Sequence, residues 1–166
     1  MRVTARSDYA LRALVELARA ADLGDGAGSL DSGKRGAGPL SAETIGRTQE
    51  IPHGFLQSIL ADLRRAGIVA SQRGQSGGWR LARPAAEVTV ADVLRVIDGP
   101  LVSLYDVQPE HVDYAEGAEV LQHVWIAARA ALRRVMEQVT LADLADGALP
   151  PGVEELTRDE GAWSAR

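Results

Sequence analysis

The segment SQRGQSGGWRL, residues 71–81, places three glycines and two arginines between short apolar stretches. A phosphate-binding loop would need Gly-x-x-x-x-Gly-Lys-Ser/Thr at the start of a helix, because the lysine reaches the phosphates and the hydroxyl holds magnesium. Here Gly78 is followed by Trp79 and Arg80 in an alternating, strand-like pattern. The spacing therefore predicts a β-hairpin with a glycine-rich turn, whose arginines can contact a polyanion.

Histidines and carboxylates are the other residues that could carry chemistry, and His111 and His123 lie near Asp106, Asp113 and Glu119 in the sequence. No two of the three histidines are four residues apart, and neither a His-Glu-x-x-His nor a Gly-x-Ser-x-Gly pattern occurs. The absence of cysteine removes disulfides, thiolate metal ligands and a cysteine nucleophile. We therefore predict no metal site, no cofactor and no enzymatic activity.

The hairpin is preceded by a segment with the pattern of two consecutive helices, LSAETIGRTQEIPHGFLQSILADLRRAGIV, residues 40–69. Ser41 is a suitable N-cap for a short helix that runs to about Thr48. Pro52 fits the first turn of a second helix, and Gly67 ends it. Two helices joined by a short turn form a helix-turn-helix, and a following hairpin makes it a winged helix. The predicted fold class is mainly α with a small β-hairpin.

A winged helix can place the start of its second helix in the DNA major groove and its hairpin tip in the minor groove. His53, Gln57 and Ser58 would then read bases, and Arg73 would enter the minor groove. The predicted phosphate contacts are Arg2, Arg6, Arg64, Arg65 and Arg80, together with the backbone amides at the start of the short helix that Ser41 caps. Any amphipathic helix carries polar residues on its outer face, so the pattern alone leaves a purely structural role open.

The N-terminal region shows one helical pattern and one stretch without any. Residues 7–21 predict a first helix, with Thr4 or Ser7 available as its cap. Residues 22–39 are rich in Gly, Ala, Ser and charge and predict a flexible loop.

The C-terminal half predicts a short helix capped by Thr89, an irregular connection at residues 101–116 and a long helix at residues 119–139. Apolar residues of the long helix are separated alternately by four and three positions, which is typical of a coiled-coil seam. A helix of about 30 Å has few partners of equal length in so small a chain, so we predict pairing with a second copy. The predicted dimer-interface residues are Leu121, Trp125, Ala128, Leu132, Val135 and Val139.

These patterns divide the chain into a DNA-binding domain at residues 1–84, a helical linker and dimerisation region at 85–148 with a short helix near its end, and a loose acidic tail at 149–166. Residues 1–83 carry 12 Arg and Lys against 8 Asp and Glu, whereas residues 84–166 carry 6 against 15. A basic first half is typical of a region that faces a polyanion. Neither a secretory signal nor a run of about 18 apolar residues occurs, so we expect no membrane association and a cytoplasmic location.

Four stretches resemble the Rrf-two family of bacterial transcription regulators: SDYALRALVELA, IPHGFLQSILADLRRAGIV, SQRGQSGGWRLARPAAEVTVADVLRVIDGPL and VWIAARAALRRVMEQVTLADLADG. The most specific part is the wing pattern RGxxGGxxLAR directly after LRRAGIV. The resemblance implies a homodimer whose long C-terminal helices cross between subunits and whose wings reach the minor groove. It matches Arg73 to the wing arginine of the family, and Gly74, Gly77 and Gly78 to the wing turn. A repressor that covers a promoter is the favoured function.

The sequence departs from the family pattern at its reading helix and at its sensor segment. Gln57 and Ser58 stand where many members have Glu-Gln, which leaves the operator sequence open. Cluster-binding members carry three cysteines in the segment that corresponds to residues 99–116, and this chain has none. Asp8 lies where some members use a carboxylate as a fourth ligand, and we interpret it as an acid at a helix N-terminus. The chain therefore resembles the cysteine-free branch that lacks an iron-sulfur site.

Two further hypotheses accompany this interpretation. The chain could be a winged-helix protein-interaction module without DNA binding, which a shallow salt dependence of any DNA affinity would reveal. Regulation by a small molecule or a protein could act through the segment of Tyr105, His111 and Tyr114, because a ligand there could alter the spacing of the wings.

Overall fold

The computed structural model describes residues 3–25, 38–74 and 77–164, with only the backbone of residues 22–25. In these ranges the order of elements is α1 (Ala5–Asp25), α2 (Ala42–Gln49), α3 (His53–Arg65), β1 (Val69–Gln72), β2 (Gly78–Leu81), α4 (Val90–Ile97), α5 (Val120–Met136), α6 (Leu141–Asp146) and α7 (Pro151–Arg158). Short 3₁₀ turns occur at Ala85–Glu87, Pro109–His111 and Glu160–Trp163. A helical protein with one antiparallel hairpin confirms the predicted fold class. None of the helices in these ranges is long and apolar enough to cross a bilayer.

Helix α1 is longer than predicted at both ends. Thr4 caps it, because its hydroxyl accepts a hydrogen bond from the Ser7 amide at 3.1 Å, and Ser7 itself is buried in the first turn. The helix continues to Asp25, so the prediction of a flexible loop from residue 22 is wrong for its first four residues. The sequence AADL at residues 20–23 consists largely of good helix formers, which explains the extension. Residues 26–37 of that predicted loop lie outside the described residues.

The hairpin of β1 and β2 is joined by a third short segment. Its register pairs Val69 with Leu81 and Gln72 with Gly78. Leu40, just before α2, exchanges backbone hydrogen bonds with Trp79 at 2.9 and 2.8 Å. The wing is therefore anchored to the start of the helix-turn-helix as well as to α3.

The main apolar core is built around α1, which packs against α2, α3, α4, α6 and β2. Leu14, Leu56 and Leu60 are fully buried there, together with Val93 of α4 and Leu141 of α6. The predicted domain boundary after residue 84 therefore does not separate two cores. The long apolar face of α1 cannot be covered by α2, α3 and the hairpin alone, and α4 with α6 completes the burial.

Helix α5 ends at Met136, three residues before its predicted end. Val139 lies outside the helix, is 5% exposed, and packs in a second apolar cluster with Val90 and Leu94. Its carbonyl accepts a hydrogen bond from the Val90 amide at 2.9 Å. The prediction of Val139 as a dimer-interface residue is therefore wrong, because the extended backbone at Thr140 that caps α6 turns the chain inward.

The prediction of a loose tail from residue 149 is also wrong. Residues Pro151–Arg158 form α7, with proline in the first turn where it is tolerated best. Val153 is 7% exposed and joins the second apolar cluster beside Val139. The buried Val153 and the proline at the start of the helix explain why a segment of acidic and polar composition forms α7.

Candidate nucleic-acid interface

The turn between α2 and α3 fixes the position of the second helix of the pair. Ser41 caps α2 as predicted, since its hydroxyl accepts from the Thr44 amide at 3.0 Å. Glu50 ends α2 in the left-handed conformation, with φ 53 and ψ 42. The buried Ile51 then donates its amide to the Gly46 carbonyl at 2.9 Å. The helix-turn-helix predicted from the sequence is thereby confirmed, with the turn held by the backbone.

Helix α3 buries one face and exposes the residues expected to read bases. His53, Gln57 and Ser58 are all exposed in its N-terminal half, and the Gln57 amide nitrogen lies 3.4 Å from His53 Nε2. Phe55 is also 54% exposed and contacts the ring of Tyr9 edge-on, with centroids 6.1 Å apart. The buried residues of the helix are Leu56, Ile59, Leu60 and Leu63. The exposed face of α3 is therefore polar, with one aromatic ring at its edge.

Asp62 is a partner of two predicted phosphate-contacting arginines that the sequence pattern did not indicate. Its carboxylate pairs with Arg6 through Oδ2 and with Arg65 through Oδ1, and its side chain is only 17% exposed. Arg6 also donates to the Ser58 hydroxyl at 3.0 Å. The structure thus brings together Arg6, Ser58 and Arg65, and it neutralises part of the charge of the two arginines. The spacing of three residues between Asp62 and Arg65 could have indicated one of these pairs, but the contact with Arg6 is tertiary.

Arg64 is directed toward the hairpin. Its guanidinium carbon lies 6.0 Å from the centroid of the Trp79 ring, and its Nη1 is 3.5 Å from the Ser71 hydroxyl. A guanidinium over an indole ring gains cation–π attraction. Arg64 therefore links α3 to the wing, and Trp79 packs partly buried against the main core.

The glycines of the wing are required by backbone geometry. Gly74 has φ 115, a conformation that side chains rarely adopt. A Cβ on Gly77 would lie 2.5 Å from the carbonyl oxygen of Gln72, and one on Gly78 would lie 2.5 Å from that of Leu40. Gly74 and Gly77 shape the predicted turn, whereas Gly78 is needed because the chain before α2 passes against β2.

The predicted arginines of the wing are accessible. Arg73 follows β1 and is exposed, and Arg80 on β2 is exposed although its Nη1 donates to the carbonyl of Leu81 at 3.3 Å. Arg2 lies outside the described residues. Both described guanidinium groups are free of ion pairs within the described ranges and can reach a polyanion.

Helix α5 leaves its apolar residues open to solvent. Within the part of the chain that the structure describes, none of its residues is buried. Leu121 is 41% exposed, and Val120 and Val124 are 68% and 50% exposed. The remaining predicted seam residues, which are Trp125, Ala128, Leu132 and Val135, are half-buried. Apolar surface in such a continuous stretch is typical of an association face.

The segment suspected of sensing an effector does not gather its three predicted side chains around a cavity. Tyr105 is 92% exposed, in a turn where it and Asp106 have positive φ. His111 is exposed in the 3₁₀ turn, whereas the hydroxyl of Tyr114 is buried and has no hydrogen-bond partner among the described residues.

The helix-turn-helix, the wing anchored on α3 and the exposed polar start of α3 define a winged helix DNA-binding protein. The chain belongs to the Rrf2 family, whose model, described as an iron-dependent transcriptional regulator, matches residues 3–147. It is 42% identical to the HTH-type transcriptional regulator Rv1287 of Mycobacterium tuberculosis over 96% of this chain and 90% of that protein. These findings confirm the resemblance found in the sequence. The chain is a DNA-binding transcriptional regulator and not an enzyme.

Solved structures agree with this assignment. CymR, the global cysteine regulator of Bacillus subtilis, superposes with a TM-score of 0.67 at 29% identity, covering 89% of this chain and 98% of the other. IscR of T. potens gives a TM-score of 0.62 at 27% identity, covering 100% of this chain and 93% of the other. The fold of the Rrf2 regulators therefore extends over nearly the whole chain.

The iron dependence in the description of the family does not fit the residues of this chain. The sequence has no cysteine, and the described residues contain no group of three His, Asp or Glu side chains close enough to hold a metal ion. Asp8 lies in the first turn of α1 and pairs with Arg12 at 3.4 Å. This environment is that of an acid at a helix N-terminus, as interpreted from the sequence.

Proposed function

We propose that this regulator is a homodimeric repressor that binds a specific DNA sequence and covers a promoter. His53, Gln57 and Ser58 read bases in the major groove, and Arg73 enters the minor groove. Phosphate contacts come from Arg2, Arg6, Arg64, Arg65, Arg80 and the amide end of α2 at Ser41, while Gly74, Gly77 and Gly78 shape the wing.

The single observation that carries this proposal is the direct contact between α3 and the wing. Arg64 of α3 rests on Trp79 of β2, and Trp79 is bonded to Leu40 before α2. These contacts set the spacing between the exposed start of α3 and the exposed wing arginines. Two contact elements at fixed spacing favour a bound register in which helix and wing occupy neighbouring grooves.

The Arg6 and Asp62 pair adds a condition to the phosphate contacts. Asp62 lies on the same helix as the residues predicted to read bases. Its negative charge repels the DNA phosphates, but its ion pair also holds the Arg6 side chain in place. A guanidinium that is already fixed loses less conformational entropy when a phosphate approaches. Arg6 therefore serves as a positioned contact rather than a free one.

The dimer is supported by α5. The exposed Leu121 and the half-buried Trp125, Ala128, Leu132 and Val135 remain the proposed interface, and Val139 is excluded from it by its burial. The exposed Val120 and Val124 lie on the same helix and extend this face. A second copy of α5 would cover a surface that the chain itself leaves in water.

Arg73→Ala tests the DNA proposal. A bound DNA fragment is first selected from genomic fragments, and its affinity is then measured by fluorescence anisotropy at several salt concentrations. The variant should lose about tenfold or more in affinity, because one minor-groove arginine is removed. Arg158→Ala, at an exposed arginine of α7 that pairs with Glu154, is the matched control and should bind as the unchanged protein does. Equal affinities of the two variants would refute the role of Arg73.

Leu121→Glu tests the dimer. Light scattering after size exclusion should show a dimer for the unchanged protein and a monomer for this variant, because a carboxylate is desolvated at the apolar face. Ala130→Glu, at an exposed position on the opposite side of α5, should remain dimeric. A monomeric unchanged protein, or a dimer that survives Leu121→Glu, would argue against this interface.

The site of action proposed for this protein is the cytoplasm, where bacterial DNA is accessible to it. Retention of the protein in the soluble cytoplasmic fraction of its host would agree, and recovery with membranes would not.

A further inference from the structure

A cavity of about 420 Å³ opens beside α5, away from the helix-turn-helix. It lies between the end of α4, the segment after it and the middle of α5. Three arginines line it: Arg95 from α4 and Arg129 and Arg133 from α5. Residues four apart on a helix share a face, so the two arginines of α5 converge on the same space.

The lining of the cavity carries more cationic than anionic side chains, although Asp92 of α4, outside the wall, also lies 3.6 Å from Arg95. Among the lining residues, Glu110 is the one carboxylate against three guanidinium groups. Leu101 and Pro100 provide an apolar part of the wall. A site with several guanidinium groups and a small apolar surface is suited to an organic anion.

A carboxylate already pairs with one of these guanidinium groups. Glu110 Oε2 lies 2.7 Å from Arg129 Nη1, and this bond holds the pKa of Glu110 below its usual value. Glu137, outside the cavity wall, pairs with Arg95 and lies 3.2 Å from Arg133 Nε, and its pKa is also lowered, first by the bond from Arg95. The geometry shows that a carboxyl group fits between these side chains.

These ion pairs can be exchanged for a ligand. The side chains of Glu110 and Glu137 are 37% and 41% exposed, and ion pairs this open to water contribute little to stability. Arg129 is only 21% exposed, so its fork points inward rather than into bulk solvent. A ligand with two acidic groups could replace both intramolecular carboxylates at once.

We propose that this arginine-lined cavity binds a small organic anion with at least two acidic groups, each of them a carboxylate or a phosphate. The guanidinium groups of Arg129 and Arg133 engage one acidic group, and Arg95 engages the other. The carbon skeleton of the ligand contacts Leu101. Bidentate pairing with guanidinium favours carboxylate and phosphate over halide ions.

The cavity is connected to the DNA-reading helix by a short series of contacts. Gly99 lines it and follows Asp98, whose carboxylate accepts hydrogen bonds from Ser7 at 2.6 Å and from Thr4 at 2.8 Å. Arg6, which directly precedes Ser7 in the chain, donates a hydrogen bond to Ser58 of α3. A ligand that displaces Glu110 and shifts the chain at Gly99 would act on this series. This regulatory consequence rests on the proposed DNA interface, whereas the anion site does not.

Isothermal titration calorimetry without DNA tests the site itself. Succinate, citrate and inorganic phosphate are titrated into the full chain in a dilute neutral buffer, with acetate as the single-charge comparison. We expect at least one of the three to bind with Kd below about 1 mM, and acetate to bind at least about tenfold more weakly. Binding of phosphate alone would assign the site to phosphorylated ligands, and binding of succinate or citrate alone to polycarboxylates. No heat from any of the three would overturn the proposal.

Variants locate the binding. Arg129→Gln with Arg133→Gln should weaken the best anion at least about tenfold, while Arg134→Gln, at a neighbouring exposed arginine that does not line the cavity, should leave its Kd unchanged. Arg129→Lys keeps the charge without the fork and should bind at an intermediate level, provided that circular dichroism shows the same helix content as the unchanged protein. Equal weakening by Arg134→Gln would mean nonspecific charge attraction and would overturn the site. Anion binding that survives while DNA binding fails would reject only the proposed DNA function.

Discussion

Ser7 and Asp98 are joined by a hydrogen bond of 2.6 Å between Ser7 Oγ and Asp98 Oδ2, although they are 91 residues apart in the chain. Ser7 is fully buried, so its hydroxyl has no access to water when this partner is lost. We expect Ser7→Ala to lower the free energy of unfolding by about 1.5–2 kcal/mol, the lower part of the range for a hydrogen bond to a charged group, because Asp98 is itself exposed to water. Urea denaturation measures it. Ser103→Ala, at an exposed serine near the same loop, should change stability by less than about 0.5 kcal/mol.

Gly78 can be replaced only by forcing two backbone segments apart. A Cβ there would lie 2.5 Å from the Leu40 carbonyl oxygen, so Gly78→Ala should cost about 1–3 kcal/mol and weaken DNA binding by displacing the wing. Gly54→Ala is the contrast, since a Cβ at that helical glycine meets no atom within 4 Å. It should leave stability equal or raise it by up to about 1 kcal/mol. Thermal unfolding of both variants is the measurement. If only Gly78→Ala is destabilised, the close approach of the Leu40 backbone is the cause, whereas equal destabilisation would mean that any added side chain is harmful.

Asp143 makes stability depend on acid pH. The Thr140 hydroxyl, at 2.6 Å, and then its backbone amide hydrogen-bond the carboxylate, and both lower the pKa of Asp143 below its usual 3.8. A lowered folded-state pKa means that the ionised group stabilises the protein above about pH 4, and that this contribution is lost as pH falls through the lower value. Asp143→Asn should therefore be less stable at pH 7 by about 1 kcal/mol and should lose less on acidification.

Urea midpoints of the Asp143→Asn protein between pH 7 and pH 2.5 provide the measurement. Asp146→Asn, at an exposed position of the same helix, is the control and should follow the unchanged protein. If the unchanged protein and Asp143→Asn lose stability in parallel across this range, the capping box has no part in the acid response.

Leu141 joins the C-terminal region to the winged helix. It is fully buried in the main core with residues of α1, so Leu141→Ala should cost about 2–5 kcal/mol. Leu156→Ala removes the same atoms at a leucine that is 56% exposed and should cost under about 1 kcal/mol. A single unfolding transition that shifts as a whole is expected for Leu141→Ala. Two separate transitions, with only the second one shifted, would restore the domain boundary after residue 84.

The sequence predicted the elements well where the signal is local. Ser41, Thr89 and Gly67 mark helix ends because a cap is formed by residues within one turn of each other, and the structure shows each of them in that place. The wing turn was recognisable for the same reason. Resemblance to a known family then supplied the function, which composition and spacing alone left open between DNA binding and protein interaction.

Contacts between distant parts of the chain were not predictable in this way. The pairing of Leu40 with Trp79, and that of Arg6 with Asp62, depend on how finished elements pack. Val139 continues the spacing of the α5 seam, although the chain has already left the helix at that point, so the pattern assigned it to the wrong surface. A periodic pattern reports which side chains are apolar, but not which surface covers them.

Helix α1 joins the winged helix to α4 and α6, because it packs against elements of both parts of the chain. It has 21 residues, a length of about 30 Å, and packs against α2, α3, α4, α6 and β2, so these elements form one densely packed body. A small rotation where two copies of α5 meet would therefore become a displacement of several ångströms at α3, without any bending inside the chain. The distance between the two α3 helices of a dimer, and hence the spacing of the half-sites it prefers, would be the quantity that such a rotation controls.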